Sequence, residues 1–525
     1  MTLDPAALQV LIARLTGIAT EMGAVLARSA FSPNIKERHD HSAALFTADG
    51  ELLVQAEHIP VHLGSMPASV AAAIERFGPG TPGWDALVGG DQVVLNDPFS
   101  GGTHLNDITL VAPCLVEGRL VGWVANRAHH ADVGGGAPGS MPAEATEIYA
   151  EGLRLPPVRL TGEVRAVLLA NSRTPDERAG DLDAQVGANR RGVARLAELA
   201  DAPFAAVLEH GERRMRAALA EIPDGRWEFA DVVDSFGPAP DQQVETHVRV
   251  TLTVDGDTVT FDLSESDPQR PGNVNAVEAV TVSAAVYALR CALDPTIPAN
   301  GGALRPVRVL TRPGTIVAAV EPAAVGAGNV EVSQRVADIC LGALALARPG
   351  RLGAASQGTM NNLLVGGRRG ADATEPERAW VYYETVAGGQ GGRVHGPGMS
   401  GVHTAMTNTK NTPIEALERA FPLRVRRLAL RRGSGGAGVH AGGEGVERDL
   451  EVLAPAVVSL VTERRRSAPW GQEGGATGAR GENWLLRGGD EAAAEPLADK
   501  VTFAVGPGDV VRLRTPGGGG WGPAA

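Results

Sequence analysis

Histidine residues concentrate near the start of the chain and offer the clearest chemistry in the sequence. Of the twelve histidines, seven lie within the first 130 residues. Two motifs stand out, GGTHLND at residues 101–107 and NRAHHAD at residues 126–132. Each combines imidazole and carboxylate side chains, which are common ligands of first-row divalent metals. If the fold brings the two motifs together, they form a metal site with open coordination positions.

The segment between the motifs determines whether they meet. Two apolar runs joined by a Glu-Gly pair at 117–118 predict a β-hairpin with a two-residue turn. In strict register Asp107 pairs with Ala128, so Asp107 and His129 point to opposite faces. A one-residue shift or a bulge would bring Asp107 and His129 together, and without it His130 would be the better partner. Either register brings an aspartate and histidines to the same end of the hairpin.

Three polar residues outside these motifs are weaker candidates for a binding pocket. His58 and His62 stand four positions apart, but Pro60 between them prevents a regular helical face. Substrate contact and a purely structural role are both open for these histidines. Asn96 begins an Asn-Asp-Pro turn just before the GGTH loop, where it is either a turn residue or part of the site.

Other reactive side chains are interpreted as structural. The spacing of Glu144, Glu147 and Glu151 is typical of a solvated helix face, which we favour over an acid–base role. Cys114 lies in the middle of an apolar strand and is expected to be a small buried hydrophobic residue. The charge run Arg464–Arg466 is expected to lie on the surface.

The charge and the absence of certain motifs exclude several function classes. A formal net charge of −13 and a pI near 5.5 argue against nucleic acid or an anionic membrane as the main partner. The sequence has three lysines, and none follows a glycine, so it contains no Gly-Lys-Ser/Thr phosphate loop. Its three cysteines are far apart and form no Cys-x-x-Cys pair, which excludes a zinc ribbon or a disulfide framework.

The length of the chain and its local patterns predict several domains. With 525 residues the chain exceeds a typical single domain. We predict a multi-domain α+β protein, mixed α/β in character, with a β-rich and Gly-rich C-terminal region. The expected regions are an N-terminal α+β region with the His-rich site (1–225), a central α+β region (226–377) and a mainly β C-terminal region (378–525).

The N-terminal segment predicts an amphipathic helix from Asp4 to Ser29. It lacks the basic leader and the small-residue cleavage site of a signal peptide. No run of about 18 uninterrupted apolar residues occurs that would span a membrane. We therefore expect a cytoplasmic protein.

Long motifs across nearly the whole chain carry a resemblance to a known family. They include FSPNIKERHDHSAALFTADGELLVQAEHIPVHLGSMPASV, LNDPFSGGTHLNDITLV, ANRAHHADVGG, TNTKNTPIEALE, TERRRSAPWG and TPGGGGWG. The chain resembles the hydantoinase B/5-oxoprolinase family, specifically the B subunit of ATP-dependent N-methylhydantoinase-type enzymes. Relatives of this family include the large subunits of acetone and acetophenone carboxylases.

The resemblance implies an activity and a partner. It implies a B subunit that opens a hydantoin, N-methylhydantoin or 5-oxoproline ring together with an A-type ATPase subunit, which binds ATP and Mg. The absence of a phosphate loop agrees with that division, and we expect the isolated chain to bind no ATP tightly. The alternatives are a component of an acetone/acetophenone-type ATP-dependent carboxylase and a non-catalytic scaffold component.

The resemblance also implies roles for individual residues. The ligands of a divalent ion, with Mn, Fe and Zn all admissible, would be His104, Asp107 and His129. Acid–base or ligand-supporting roles would fall to His130 and Asp132. Pocket roles would fall to His58, His62 and Asn96.

Overall fold

A six-stranded antiparallel sheet forms the framework of the N-terminal region. The computed structural model describes residues 4–56, 59–370 and 377–524, so the predicted pocket residue His58 lies outside the described residues. The strands are β1 (His41–Thr47), β2 (Leu52–Ala56), β3 (Val93–Leu95), β4 (Asp107–Val116), β5 (Arg119–His129) and β6 (Val158–Arg159). They lie in the order β2-β1-β5-β4-β3-β6, which places the β4–β5 hairpin at the centre of the sheet.

A bulge in the β4–β5 hairpin sets the register that the sequence left open. The two-residue turn is present, with Glu117 and Gly118 both at positive φ. Leu115 pairs with Leu120, whereas Cys114 pairs with Gly122, so one extra residue on β5 shifts the pairing. Asp107 consequently pairs directly with His129.

Helices cover both faces of this sheet. The helices are α1 (Pro5–Ser29), α2 (Pro33–Lys36), α3 (Ser65–Phe77), α4 (Trp84–Val88), α5 (Gly162–Ala170), α6 (Pro175–Ala197) and α7 (Phe204–Leu219). On one face α1 and α6 pack against each other and the sheet, enclosing Leu15, Met22 and Val124. On the other face α3 and α4 pack over Phe46 and Trp123. Because both faces are covered, the central strands are apolar without strict alternation.

The first helix matches its predicted bounds closely. Among the described helices, α1 is the one long and apolar enough to cross a membrane by length and composition, with a mean hydropathy of 1.5 in its most apolar window. Its residues Leu8, Leu11, Leu15 and Ile18 are buried against the sheet and neighbouring helices. A core helix passes the same test of length and composition, so this finding is weak support for a membrane span.

The central region combines a four-stranded sheet with two long helices. Its elements are β7 (Gly225–Val233), β8 (Thr246–Asp255), β9 (Thr258–Asp262), α8 (Glu278–Ala292), α9 (Gly301–Leu304), β10 (Val307–Leu310) and α10 (Ser333–Ala347). The strand order is β10-β9-β8-β7, with β10 parallel to β9. Helix α10 packs on α8, β7 and β8, and a π-helical turn, Gly328–Val332, leads into it.

The C-terminal region is mainly β, as predicted. Its elements are β11 (Asn362–Arg369), β12 (Arg378–Thr385), α11 (Ile414–Ala420), β13 (Leu423–Arg431), β14 (Gly445–Val452), β15 (Ala456–Val461), β16 (Glu482–Leu486), β17 (Glu495–Pro496), β18 (Lys500–Val505) and β19 (Val510–Arg514). One sheet has the order β12-β11-β15-β18 and the other β13-β14-β19-β16-β17. A shared apolar core lies between them. Strand β11, which precedes the predicted boundary at 378, pairs with strands of this region.

A buried ionic cluster joins the central and C-terminal regions. The Nη2 atom of Arg464 lies 2.7 Å from Asp231 Oδ2 and 2.8 Å from Asp338 Oδ2. Arg335 contacts the same two carboxylates, and the Arg464 side chain is only 1% exposed. The expectation that Arg464 lies on the surface is therefore wrong, because two aspartates from the central region pair with it in the interior; Arg466 of the same run is exposed.

The prediction of a mixed α/β multi-domain fold is confirmed. Helices and sheets alternate in the N-terminal and central regions, and glycine-rich turns connect the strands of the C-terminal region. One large apolar cluster runs from Ile108 of the first sheet through Val280 of α8 to Val461 of β15, so the regions share a continuous core.

Candidate metal centre

Two imidazoles and a carboxylate converge where the β4–β5 hairpin ends. Asp107 begins β4, His129 ends β5, and His104 lies in the loop just before β4. Asp107 Oδ1 lies 3.1 Å from His104 Nε2 and 3.4 Å from His129 Nδ1. Each of the three residues offers a ligand atom within 4.8 Å of the other two. This spacing suits atoms arranged around one ion at bond lengths of about 2 Å.

The second oxygen of Asp107 is held by its neighbours. Asp107 Oδ2 accepts a hydrogen bond from Thr103 Oγ1 at 2.6 Å and lies 3.4 Å from His62 Nε2. The other ring nitrogen of His62, Nδ1, lies 2.9 Å from Ser42 Oγ. These contacts fix the carboxylate plane and leave Oδ1 facing His104 and His129. His62 thus supports Asp107, although Pro60 does prevent a regular helix there.

Burial and charge set the protonation of the cluster. Burial alone would raise the pKa of Asp107, but His104, His129 and His62 together hold that pKa well below its usual range. Burial lowers the pKa of His62 and of His129, although Asp107 opposes both shifts. Asp107 is therefore ionised and these two imidazoles are neutral near pH 7. A carboxylate and imidazole lone pairs are the forms that bind a metal ion.

The residues present fit a divalent cation. The side chains of His104, Asp107 and His129 are at most 4% exposed. His104 Nδ1 and His129 Nε2 are buried with no hydrogen-bond partner among the described residues. A buried polar atom without a partner costs about 1–3 kcal/mol. Two imidazoles and one carboxylate suit Mn, Fe or Zn.

A stacked arrangement from the C-terminal sheet covers His129. The ring of Tyr383, on β12, stacks on His129 with centroids 4.6 Å apart and an interplanar angle of 18°. The Arg38 guanidinium lies 4.7 Å from the centroid of the Tyr383 ring. The Tyr383 hydroxyl donates a hydrogen bond to Asn362 Oδ1 at 2.8 Å. The sequence analysis missed Tyr383, because no local pattern connects residues so far apart in the chain.

Asp40 also belongs to this neighbourhood. Its backbone carbonyl accepts a hydrogen bond from the His129 N–H at 3.0 Å. Burial raises the pKa of the Asp40 carboxyl, while His129 and Arg38 oppose that shift. Its position in the RHDH motif, between His39 and His41, was the available signal in the sequence.

The predicted acid–base residues His130 and Asp132 lie apart from the imidazole–carboxylate cluster. His130 Nε2 lies 2.9 Å from Gln185 Oε1 of α6, and burial followed by the charge of Arg178 lowers the pKa of His130 to about 4. Strand alternation turns His130 to the face opposite His129. Asp132 accepts hydrogen bonds from the backbone N–H groups of Gly134, Gly139 and Arg173 and from the Arg173 side chain. These contacts favour structural roles for both residues over proton transfer.

The amide of Asn96 is fully used by backbone groups. Its Nδ2 donates to the carbonyls of Leu105 and Leu153, and its Oδ1 accepts from the N–H of Leu155. Asn96 is 1% exposed. The structure therefore favours the turn interpretation over a pocket role, with Asn96 anchoring the loop that carries His104.

Replacing His130 with alanine should leave metal binding intact. The register sends His129 toward Asp107 and His130 toward Gln185. We expect His130→Ala to cost about 1–3 kcal/mol of stability, because Gln185 loses a buried partner. Elemental analysis of the purified variant should show the metal content of the wild type. A metal-free but folded His130→Ala variant would contradict the bulged register.

The predicted solvated helix face at residues 144–151 is wrong for Glu151. The segment forms only a short 3-10 turn, Ile148–Ala150, and Glu151 is 1% exposed. Its carboxyl accepts hydrogen bonds from the N–H groups of Val325 and Gly326. Burial raises the pKa of Glu151 to about 7, against the effect of these hydrogen bonds.

The raised pKa of Glu151 predicts a pH dependence of stability. Between pH 4.5 and about 7 the carboxyl ionises in the unfolded chain but stays protonated in the folded protein. The free energy of unfolding should therefore fall across this window, by on the order of 2–3 kcal/mol in the metal-free chain, and level off above it. Glu151→Gln should remove that part of the slope in urea unfolding measured across the same pH range. Identical slopes for the two proteins would contradict this assignment.

Comparison with known proteins identifies the family. The sequence matches the hydantoinase B/oxoprolinase family profile over residues 4–524. The chain belongs to the hydantoinase B/oxoprolinase family.

Two relatives show how the chain compares with named proteins. It is 37% identical to 5-oxoprolinase 1 of Arabidopsis thaliana, over 97% of this chain and 41% of that protein. It is 30% identical to the B component of a D-/L-hydantoinase, so named provisionally, from Pseudomonas sp. strain NS671, over 99% of this chain and 90% of that protein. The chain thus spans about two fifths of the 5-oxoprolinase and nearly all of the hydantoinase component.

Two solved structures share the fold. The ATP-dependent caprolactamase from Pseudomonas jessenii has a TM-score of 0.90 and 28% identity, covering 100% of this chain and 92% of that chain. Nucleotide-free acetone carboxylase has a TM-score of 0.88 at 20% identity, covering 99% of this chain and 76% of that chain. The second likeness shows the fold alone.

Proposed function

We propose that this chain is the B subunit of an ATP-dependent cyclic amidohydrolase that opens a hydantoin, N-methylhydantoin or 5-oxoproline ring. The observation that carries the proposal is the convergence of His104, Asp107 and His129 in a buried cluster. The family membership and the names of the relatives supply the class of reaction. The caprolactamase, whose name describes an ATP-dependent enzyme acting on a lactam, is consistent with that class.

His104, Asp107 and His129 would hold one Mn, Fe or Zn ion. A divalent ion with open positions polarises a carbonyl oxygen or activates water. Within the chain, Thr103 and His62 orient Asp107, while Tyr383 fixes the ring of His129. The burial of all three ligands keeps bulk water out and strengthens electrostatic interactions there.

ATP and Mg would bind to an A-type ATPase partner. A cyclic amide is resonance-stabilised, so its carbonyl is a poor electrophile. Phosphorylating the carbonyl oxygen at the expense of ATP would create a leaving group and an electrophilic carbon. This chain has no Gly-Lys-Ser/Thr phosphate loop, which supports the assignment of ATP binding to the partner.

A carboxylase of the acetone type is the second candidate, favoured by the shared fold of acetone carboxylase. In that case the same ligands would serve a reaction in which an enolate attacks an activated carboxylate. A scaffold component without catalytic function would need no metal in the buried cluster, and its metal content would be zero.

The test is an ATPase assay of the complex with its A-type partner. Hydantoin, N-methylhydantoin, 5-oxoproline and caprolactam would be compared with acetone plus bicarbonate. Ring opening coupled to ADP release with one of the cyclic amides is the expected result. Turnover only with ketone and bicarbonate would establish the carboxylase, and a metal-free wild type that is active with its partner would refute the metal centre.

A further inference from the structure

A small molecule that reacts at the buried metal centre needs a cavity that leads toward it. Two cavities of about 650 Å³ lie near the centre. The first, called here the polar cavity, lies between α8, α10 and the glycine-rich turns at 353–356 and 390–395. It includes Pro60, two residues before His62, and residues 403–408. The chain just beyond this loop contacts the centre's surroundings, because the Lys410 N–H donates to the Arg38 carbonyl.

Polar atoms without partners line this cavity. Thr404 and Thr407 are 8% and 3% exposed, and neither hydroxyl has a hydrogen-bond partner among the described residues. In the same described part of the chain, His403 Nδ1 and Trp470 Nε1 also line the cavity without a partner. Buried groups of this kind are normally satisfied in a folded protein. Four of them around one cavity indicate a ligand that supplies hydrogen-bond acceptors.

The charges around the polar cavity favour an anion. Arg351 and Arg393 lie at its exposed edge, and neither forms a salt bridge among the described residues. The one carboxylate in its described lining, Asp338, is paired with Arg335 and Arg464. Glu473 accepts the N–H of Gly350, next to Arg351, and is the nearby acidic group on the rim.

The second cavity differs in each of these respects. Its charged lining residues are Glu278 and Glu321, and within the described residues no side-chain atom in its lining is buried without a partner. It is otherwise lined mainly by apolar side chains and glycine. An anion would therefore be repelled there and attracted to the polar cavity.

We propose that the polar cavity is a binding subsite for an anionic oxygen group carried by the substrate. Arg351 and Arg393 would bind the anion at the mouth, and the groups of His403, Thr404, Thr407 and Trp470 would bind polar atoms further in. The anion is either a carboxylate on the cyclic amide, as in 5-oxoproline, or a phosphoryl group attached to it. The inference rests on the proposed function only for the reaction that consumes this ligand.

Calorimetry of the full chain tests the subsite with inorganic phosphate, 5-oxoproline and neutral hydantoin as probes. At least one anion should bind with a Kd of about 0.1–1 mM, and hydantoin should bind more weakly. Arg351→Ala combined with Arg393→Ala should weaken anion binding by about tenfold or more, since charge-assisted hydrogen bonds are lost. The matched control is Arg308→Ala, an exposed arginine on β10 that lines neither cavity.

Comparing the two anions identifies the source of the charge. Preference for 5-oxoproline assigns a carboxylate, and preference for phosphate assigns a phosphoryl group. Absence of binding by both anions at about 10 mM, or equal affinity in wild type and double variant, would overturn the subsite. Failure of the proposed function would be distinct, because it would leave anion affinity intact while the wild type lacked metal or turnover.

Discussion

Replacing Asp107 with alanine should abolish metal binding and all substrate-dependent turnover. Asp107 is the only charged group among the three proposed ligands, and its Oδ1 faces both imidazoles. Loss of residues that merely orient metal ligands typically costs 10–100-fold in affinity, so loss of a ligand should cost more than about 100-fold. Elemental analysis of protein purified without chelator gives the metal content, and the assay with the A-type partner gives turnover.

A second substitution at this position separates charge from shape. Asp107→Asn keeps the volume of the side chain and an acceptor oxygen but removes the negative charge. We expect it to lose most of the metal affinity while the fold is retained, as judged by circular dichroism. His130→Ala is the matched control, since it removes a neighbouring buried imidazole that faces Gln185. Metal at the wild-type level in Asp107→Ala would refute the proposed ligand set.

Replacing Arg464 with alanine should have the largest effect on stability. Arg464 lies between Asp231 and Asp338 with its side chain 1% exposed. Removing one partner of a buried ion pair typically costs about 3–5 kcal/mol, because a charge remains uncompensated in the interior. Arg335 can neutralise only part of the remaining charge of the two aspartates. The expected result is a correspondingly lower Tm and an earlier transition in urea.

Arg466, from the same charge run, supplies the control for Arg464. It is exposed, and its side chain binds the carbonyl of Gln243. Arg466→Ala should cost about 1 kcal/mol or less. Arg464→Lys should fall between the two variants, since one ammonium group replaces a planar fork that contacts two carboxylates. Equal losses for Arg464→Ala and Arg466→Ala would show that the ionic cluster contributes nothing specific.

Much of the framework of the candidate site could be predicted from local sequence. Hydrophobic periodicity and the Asp-Pro start give the first helix, which the structure places at Pro5–Ser29. The apolar runs around Glu117-Gly118 correctly predict the hairpin and its two-residue turn. The turn requires positive φ at both central residues, a purely local condition.

Roles that depend on distant contacts were harder to assign. Glu151 and Arg464 lie within polar sequence and were expected at the surface, yet each is buried by partners from a distant segment. Asp132 follows the His-His pair in the sequence, but Arg173 binds its carboxylate. Local pattern reports the polarity of a residue, whereas its burial depends on whether a partner arrives from elsewhere in the chain.

The sequence by itself determined the chemical identity of the proposed ligands and brought both motifs to one end of a hairpin. It did not determine which histidine faces Asp107, because a shift of one residue reverses the side of every following side chain. The tertiary structure decides this through the bulge between Cys114 and Leu115, which pairs Asp107 with His129. It also brings Tyr383 from β12 onto the ring of His129. Such contacts arise only when separate regions pack into a common core, and no local pattern records them.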